Sequence, residues 1–270
     1  MGARSSAGRA PRSQCGGQEF DPPRVHHPTL VKRALDALRS LGEGGRVFWR
    51  KSMIITIDGP SASGKSSAAR VLAQRLGYCH LNSGLLYRAV AYLLIERAGY
   101  AMNELEHPRA ADVDMFLDPA RLRYHCAQGG HGGITFDGQD ITMHLKRIDV
   151  GKGSSFVALD PYARERLLDL QRFIAQTFDC VVDGRDTGSV VFPDAPIKFF
   201  LTASLDVRAQ RLQKDQQALG MSLTLEQARQ QTVERDERDR QRAIAPLIIP
   251  DDAMVIDNSE LTFEQTVEKF

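Results

Sequence analysis

Lys65 and Ser66 close the octapeptide Gly59-Pro60-Ser61-Ala62-Ser63-Gly64-Lys65-Ser66, which has the spacing Gly-x-x-x-x-Gly-Lys-Ser. That spacing suits phosphate chemistry. Small residues allow a tight turn whose backbone N–H groups converge on phosphate oxygens, and the following helix adds the partial positive charge of its N-terminus. Lys65 would reach the β- and γ-phosphates of a nucleotide, and the Ser66 hydroxyl would ligate Mg²⁺. The expected cradle runs from Gly59 through Ser67. Three other stretches carry charge at useful spacings. "LNSGLLYRAV" places Ser83 at a helix start with Tyr87 and Arg88 one turn in. "VVDGRD" ends an apolar run with Asp183, Arg185 and Asp186, where ligands of open α/β sheets bind. "ERDERDRQR" puts Arg235, Arg238, Asp239 and Arg242 on one helical face.

These residues need a scaffold, and the chain supplies a repeating one. Met53–Ile57 is a short apolar run, and Ser66–Leu76 follows as a helix with Val71, Leu72 and Leu76 inward. A strand, a glycine-rich turn and a helix in that order are the setting such a loop requires. "FDCVVDGRD", "IKFFLTA" (197–203) and "AMVID" (253–257) are further strands; 161–177, 204–219 and 223–242 are helical, and Thr262 with Gln265 caps a last helix. This alternation predicts an α/β fold with a central parallel sheet flanked by helices. "LRYHC", a glycine-rich turn and "ITFDGQDIT" break the alternation and predict a small antiparallel β insert.

Composition narrows the class. Of 270 residues, 26% are charged and 42% hydrophobic, as in ordinary globular proteins. Formal net charge is +1, unevenly spread: residues 1–52 hold 10 Lys+Arg against 4 Asp+Glu, and the remainder 25 against 30. A basic nucleic-acid binder is disfavoured, and no apolar stretch approaches the ~20 residues of a membrane helix. Cys15, Cys79, Cys126 and Cys180 are far apart, so reduced thiols in a cytoplasmic protein are expected. Residues 1–52 are expected to be a dispensable extension, with 1–28 disordered and a helix over Leu30–Leu41.

The loop alone serves hydrolases, switches, helicases and small-molecule kinases alike. The other motifs narrow this. "IDGPSASGKS", "LNSGLLYR", "DGRDTGSVVFPDAPIKFFLTAS" and "ERDERDRQRAIAPL" resemble the corresponding motifs of the bacterial cytidylate kinases, from Met53 to the C-terminus. The resemblance implies a P-loop nucleoside monophosphate kinase that phosphorylates CMP and dCMP with ATP and Mg²⁺ and acts as a monomer without nucleic-acid or membrane partners. It implies a domain over 53–270, a monophosphate-binding insert near 100–155 and a short mobile lid near 211–224. It also assigns roles. Lys65, Arg185, Arg211 and Arg235 would be catalytic. Arg88, Arg185 and Arg235 would hold the CMP phosphate, and Arg211, with Arg208 as a second candidate, would approach ATP from the lid. Ser155 and Asp239 would contact the ribose. Ser83, Arg164, Asp186 and Arg242 would surround the cytosine.

Bland readings stand beside these. The 234–242 run also suits a solvated helix with Glu234–Arg238, Arg235–Asp239 and Asp236–Arg240 pairs. Asp183 either caps a turn or binds Mg²⁺ through water. His80 and His144 read as ordinary polar residues, and Cys180 as core. Asn82 stands where the family usually has Asp, which would cost on the order of 1 kcal/mol in a lost charge-assisted hydrogen bond. Leu212 stands where a second lid arginine is common. The Asn82 and Leu212 departures leave a catalytically impaired homologue as one alternative, and two rival functions are a kinase for another acceptor, such as UMP, AMP or a metabolite, and a nucleotide-binding switch or nucleic-acid-associated protein using the basic N-terminus.

Overall fold

The computed structural model describes residues 52–126 and 132–270. The expected extension and its helix lie outside the described residues, except for Ser52.

In chain order the elements are β1 (Ile54–Asp58), α1 (Lys65–Leu76), β2 (Cys79–Asn82), α2 (Ser83–Ala98), α3 (Ala110–Phe116), β3 (Leu122–His125), β4 (Gly133–Phe136), β5 (Gln139–Asp140), α4 (Ile148–Val157), α5 (Pro161–Thr177), β6 (Cys180–Gly184), β7 (Ile197–Thr202), α6 (Leu205–Ala218), α7 (Leu225–Gln241), β8 (Met254–Asp257) and α8 (Phe263–Val267). Five strands form a wholly parallel sheet in the order β2-β6-β1-β7-β8. A separate antiparallel sheet, β3-β4-β5, is the expected insert.

β6 is buried along its whole length, which is why it reads as a continuous apolar run. Its successive side chains enter opposite cores. Val182 packs with Leu81, Leu86 and Leu167 on one face, while Val181 packs with Ile57, Leu72 and Leu201 on the other. Pairing of Ile57 with Asp183 and of Asn82 with Asp183 brings the carboxyl ends of β1, β6 and β2 level. The charged ends of three motifs therefore meet at one sheet edge.

α7 is almost entirely polar, yet Ala228, Thr232, Asp236 and Asp239 form a buried stripe along it. A capping box between Thr224 and Gln227 starts it. The segment expected as a lid is helical to Ala218; Leu219–Thr224 then link α6 to α7.

One expectation is overturned. Cys79 and Cys126 form a disulfide, with Cα atoms 5.2 Å apart. Their 47-residue separation hides that β3 returns against β2, where the Tyr124 hydroxyl donates to His80 O at 2.8 Å and accepts from Asn82 N at 3.0 Å. Cys180 is a buried free thiol, as expected.

Candidate active site

The loop after β1 is shaped by positions that exclude side chains. A Cβ on Gly59 would lie 2.1 Å from Leu201 O. Gly64, at φ 91, takes the left-handed conformation that begins α1, with no side chain capping the helix. The first-turn amides of α1 thus have no side-chain acceptor from the cap, which leaves them for an anion. Lys65 Nζ donates to Pro60 O at 3.0 Å, folding over the loop. Burial first, and then the Arg185 guanidinium, hold the Lys65 ammonium well below its ordinary range.

Beneath the loop lie three buried carboxylates. Asp58 accepts from Thr187 N at 2.9 Å, Thr187 Oγ1 at 2.8 Å and Gly188 N at 2.7 Å, fixing the turn that follows Asp186. Burial pushes its carboxyl up to about 6 against the pull of those donors. Asp236 accepts from Ser61 N at 3.0 Å and pairs with Arg208, which also donates to Ser61 O at 3.2 Å. Asp183 accepts from Ser66 Oγ at 2.5 Å and from His80 Nε2 at 2.7 Å. Burial works to raise the Asp183 carboxyl, but His80, Ser66 and Lys65 together hold it below the usual carboxylate range.

Ser66 and Asp183 offer hard oxygens next to Lys65. Among the described residues no group of three or more His, Cys, Asp or Glu could cage a metal. Two such donors fit Mg²⁺, which keeps several waters and completes its shell from nucleotide phosphates.

Beyond Lys65, arginines crowd together. Arg185 perturbs Lys65, Arg88 and Arg235 alike. Burial, followed by Arg185, brings Arg235 down to about 9, and its Nε has no protein partner. Arg88 donates to Leu145 O at 3.0 Å beside a cavity of about 250 Å³ between α2 and the insert. Asp239 answers part of this charge, accepting from Arg185 Nε at 2.7 Å.

A second group adjoins the first. Arg164 pairs with Asp186, donates to Ala158 O at 3.2 Å and lies 5.8 Å from the Tyr87 ring centroid. Arg242 Nε donates to Asp239 O at 3.3 Å, while its buried Nη2 has no protein partner. Ser83 and Ser155 are buried as well.

Most expected site residues are thus gathered, and several expectations are corrected. The i,i+4 pairs proposed within 234–242 do not govern that helix: Asp239 binds Arg185 and Asp236 binds Arg208, both outside α7. Arg240 is exposed. Arg208 is buried behind the loop, so it braces Ser61 and is no lid residue. Arg211 donates to Ser63 O at 3.1 Å and to Asn258 Oδ1 at 3.0 Å, on the other flank of the loop. Asn82 accepts from Leu85 N at 2.9 Å as the N-cap of α2, a task Asn performs as well as Asp. His80, read as an ordinary polar residue, is buried against Asp183. Sequence reading missed Asp58 and Asp236 although both lie inside quoted motifs; a motif gives no sign of which long-range partner a carboxylate meets.

The cytidylate kinase family model matches residues 55–270. A cytidylate kinase of Pseudomonas savastanoi pv. phaseolicola is 41% identical over 220 residues, covering 81% of this chain and 93% of that protein. One from Stutzerimonas stutzeri is 39% identical over 217 residues, covering 80% and 92%. A crystal structure of shikimate kinase from Bacteroides thetaiotaomicron aligns over 80% of this chain and 95% of its own at a TM-score of 0.40 and 13% identity, too distant to add to the argument.

Proposed function

This chain belongs to the cytidylate kinase family, and on that premise we propose that it transfers the γ-phosphoryl group of ATP to CMP and dCMP, giving ADP and the pyrimidine diphosphates. A phosphate oxygen of CMP attacks the γ-phosphorus, the bond to the β-bridging oxygen breaks, and its electrons leave with ADP. The observation that carries this reading is the surplus of positive charge around Arg185, where Lys65 is buried and Arg88, Arg185 and Arg235 are half-buried, together with the buried, unpartnered Nε of Arg235 and Nη2 of Arg242. Buried donors of this kind call for a multiply charged acceptor.

The roles follow from what each group can offer. The loop 59–67 holds the ATP phosphates. Arg88, Arg185 and Arg235 grip the CMP phosphate with planar forks that each pair with two oxygens. Two phosphates that repel each other are thereby held in line, which is most of what this chemistry requires. Ser155 and Asp239 take the ribose, and Asp239 also orients Arg185. Ser83, Arg164, Asp186 and Arg242 take the base. Arg211 approaches ATP when the 211–224 lid closes over both substrates. Ser66, and Asp183 through water, would hold Mg²⁺, which when bound would supply charge neutralisation at the transferring phosphoryl group. The catalytic domain is 53–270, with residues 100–155 as the monophosphate-binding insert. Membership of the cytidylate kinase family is the ground on which we place the enzyme in the cytoplasm, as a monomer, in pyrimidine nucleotide metabolism.

The test is Lys65→Ala. Its ammonium acts on oxygens that gain charge in the transition state, so transfer to CMP should fall by roughly 10²–10³-fold or more while the melting temperature is kept. A folded Lys65→Ala protein with near-normal turnover would sink the reading.

A further inference from the structure

His80 has no part assigned to it in the reaction, yet it lines the cavity beside Arg88 and touches one of the site's carboxylates. Its side chain is almost wholly buried, and its Nε2 lies 2.7 Å from Asp183 Oδ1. An ionised carboxylate only accepts, so Nε2 carries the proton. Ser66 occupies the other oxygen, Oδ2. The terminal torsion of an aspartate is broad and two-fold, so one donor alone leaves the carboxylate free to swing. Two donors on different oxygens fix it.

His80 is itself held firmly. Its carbonyl accepts from the Tyr124 hydroxyl, the same hydroxyl receives Asn82 N, and Cys79 is bonded to Cys126. The insert therefore pins β2 on both sides of His80. His80 and Asn82 lie two apart on the strand and so share a face, and Asn82 is paired in register with Asp183. Asn82 brings no second negative charge beside Asp183, and His80 brings a donor.

We propose that His80 is a positioning residue for phosphoryl transfer: its Nε2–H sets Asp183 so that one oxygen stays on Ser66 and the carboxylate is presented to the metal ion. This rests on the reading that Ser66 and Asp183 hold Mg²⁺. His80 would act through Asp183 and not as a ligand of the ion itself. The competing view is that the ring only fills space between β2 and β6.

Three substitutions separate the two. His80→Gln carries an amide nitrogen to about the place of Nε2. His80→Leu fills a similar volume without a donor. His80→Asn is polar but too short to reach. The readout is ADP affinity by calorimetry, without Mg²⁺ and across a Mg²⁺ series. In His80→Leu and His80→Asn, the Mg²⁺ concentration giving half of the metal-dependent gain in affinity should rise by about tenfold or more, as for other residues that orient metal ligands. Metal-free ADP affinity should not change, and His80→Gln should stay near wild type. A wild-type Mg²⁺ curve in His80→Leu overturns the proposal. So does equal damage in all three variants with metal-free affinity falling in parallel. If His80→Leu does not fold, the contrast of Asn with Gln decides alone. CMP-dependent turnover of the wild type is measured separately; its absence would defeat the kinase reading while the ADP–Mg²⁺ comparison still judged His80.

Discussion

Asp236 and Arg208 form a buried ion pair that holds the Ser61 peptide at both ends, the carboxylate taking Ser61 N at 3.0 Å and the guanidinium giving to Ser61 O at 3.2 Å. Arg208 is on α6 and Asp236 on α7, one residue from Arg235. The loop proposed to cradle phosphate is thus fastened to the helix that carries Arg235, proposed to hold the acceptor. Asp236→Ala leaves Arg208 buried and unpaired, which costs about 3–5 kcal/mol. For a domain of this size that lowers the melting temperature by roughly 6–20 °C. Removing both charges as Asp236→Leu with Arg208→Met should recover much of the loss, and KM for ATP should rise more than KM for CMP. Additive losses in the double variant would show that the pair does not act as a unit.

Arg235 should trade stability for function. Burial and the neighbouring Arg185 bring it down to about 9, so the folded state binds this proton less well than the unfolded chain does. Its contribution is therefore negative, present in full below pH 9, and it fades as pH rises above that value. Arg235→Met should melt no lower than wild type at pH 7, with the advantage shrinking toward pH 10, while kcat falls by roughly 10²–10³-fold. A variant that melts well below wild type at pH 7 would show that Arg235 is already compensated without a bound anion.

The Cys79–Cys126 disulfide closes a 47-residue separation. The chain-entropy account gives such a link about 4 kcal/mol. Oxidised protein should melt well above dithiothreitol-reduced protein, and Cys126→Ser should match the reduced form under both conditions. Identical melting of the oxidised and reduced forms would remove the link as a contributor.

Much of this site can be read from sequence for a physical reason. β6 is buried along its whole length and β1 and β7 over most of their middles, so they appear as largely apolar runs, and their ends announce the motifs. β2, "CHLN", is four residues and half polar, and nothing in its pattern marks a strand. His80 is hidden with it. Asp236 is obscured differently: helical spacing offers Arg240 as its partner, whereas its partners Ser61 and Arg208 lie 175 and 28 residues away in sequence. Arg211, expected to approach from a lid, is engaged beside the loop by Ser63 and Asn258, contacts that no motif encodes.

Base choice bears most directly on the whole account. Asp186 is buried, paired with Arg164 and adjacent to Arg242. Ionised, it would accept from the amino group of cytosine, and would face the uracil carbonyl with no donor between them. Each buried polar group left unpaired costs about 1–3 kcal/mol, and two such mismatches amount to roughly a hundredfold. The measurement is ADP release from ATP with CMP, dCMP, UMP, AMP or no acceptor, for wild type and Asp186→Asn. The account predicts that CMP and dCMP are used, that the CMP-to-UMP ratio of kcat/KM is at least about a hundredfold, and that Asp186→Asn shrinks this ratio by lowering CMP efficiency. ATP consumption that ignores CMP, or a ratio that Asp186→Asn leaves unchanged, would contradict it.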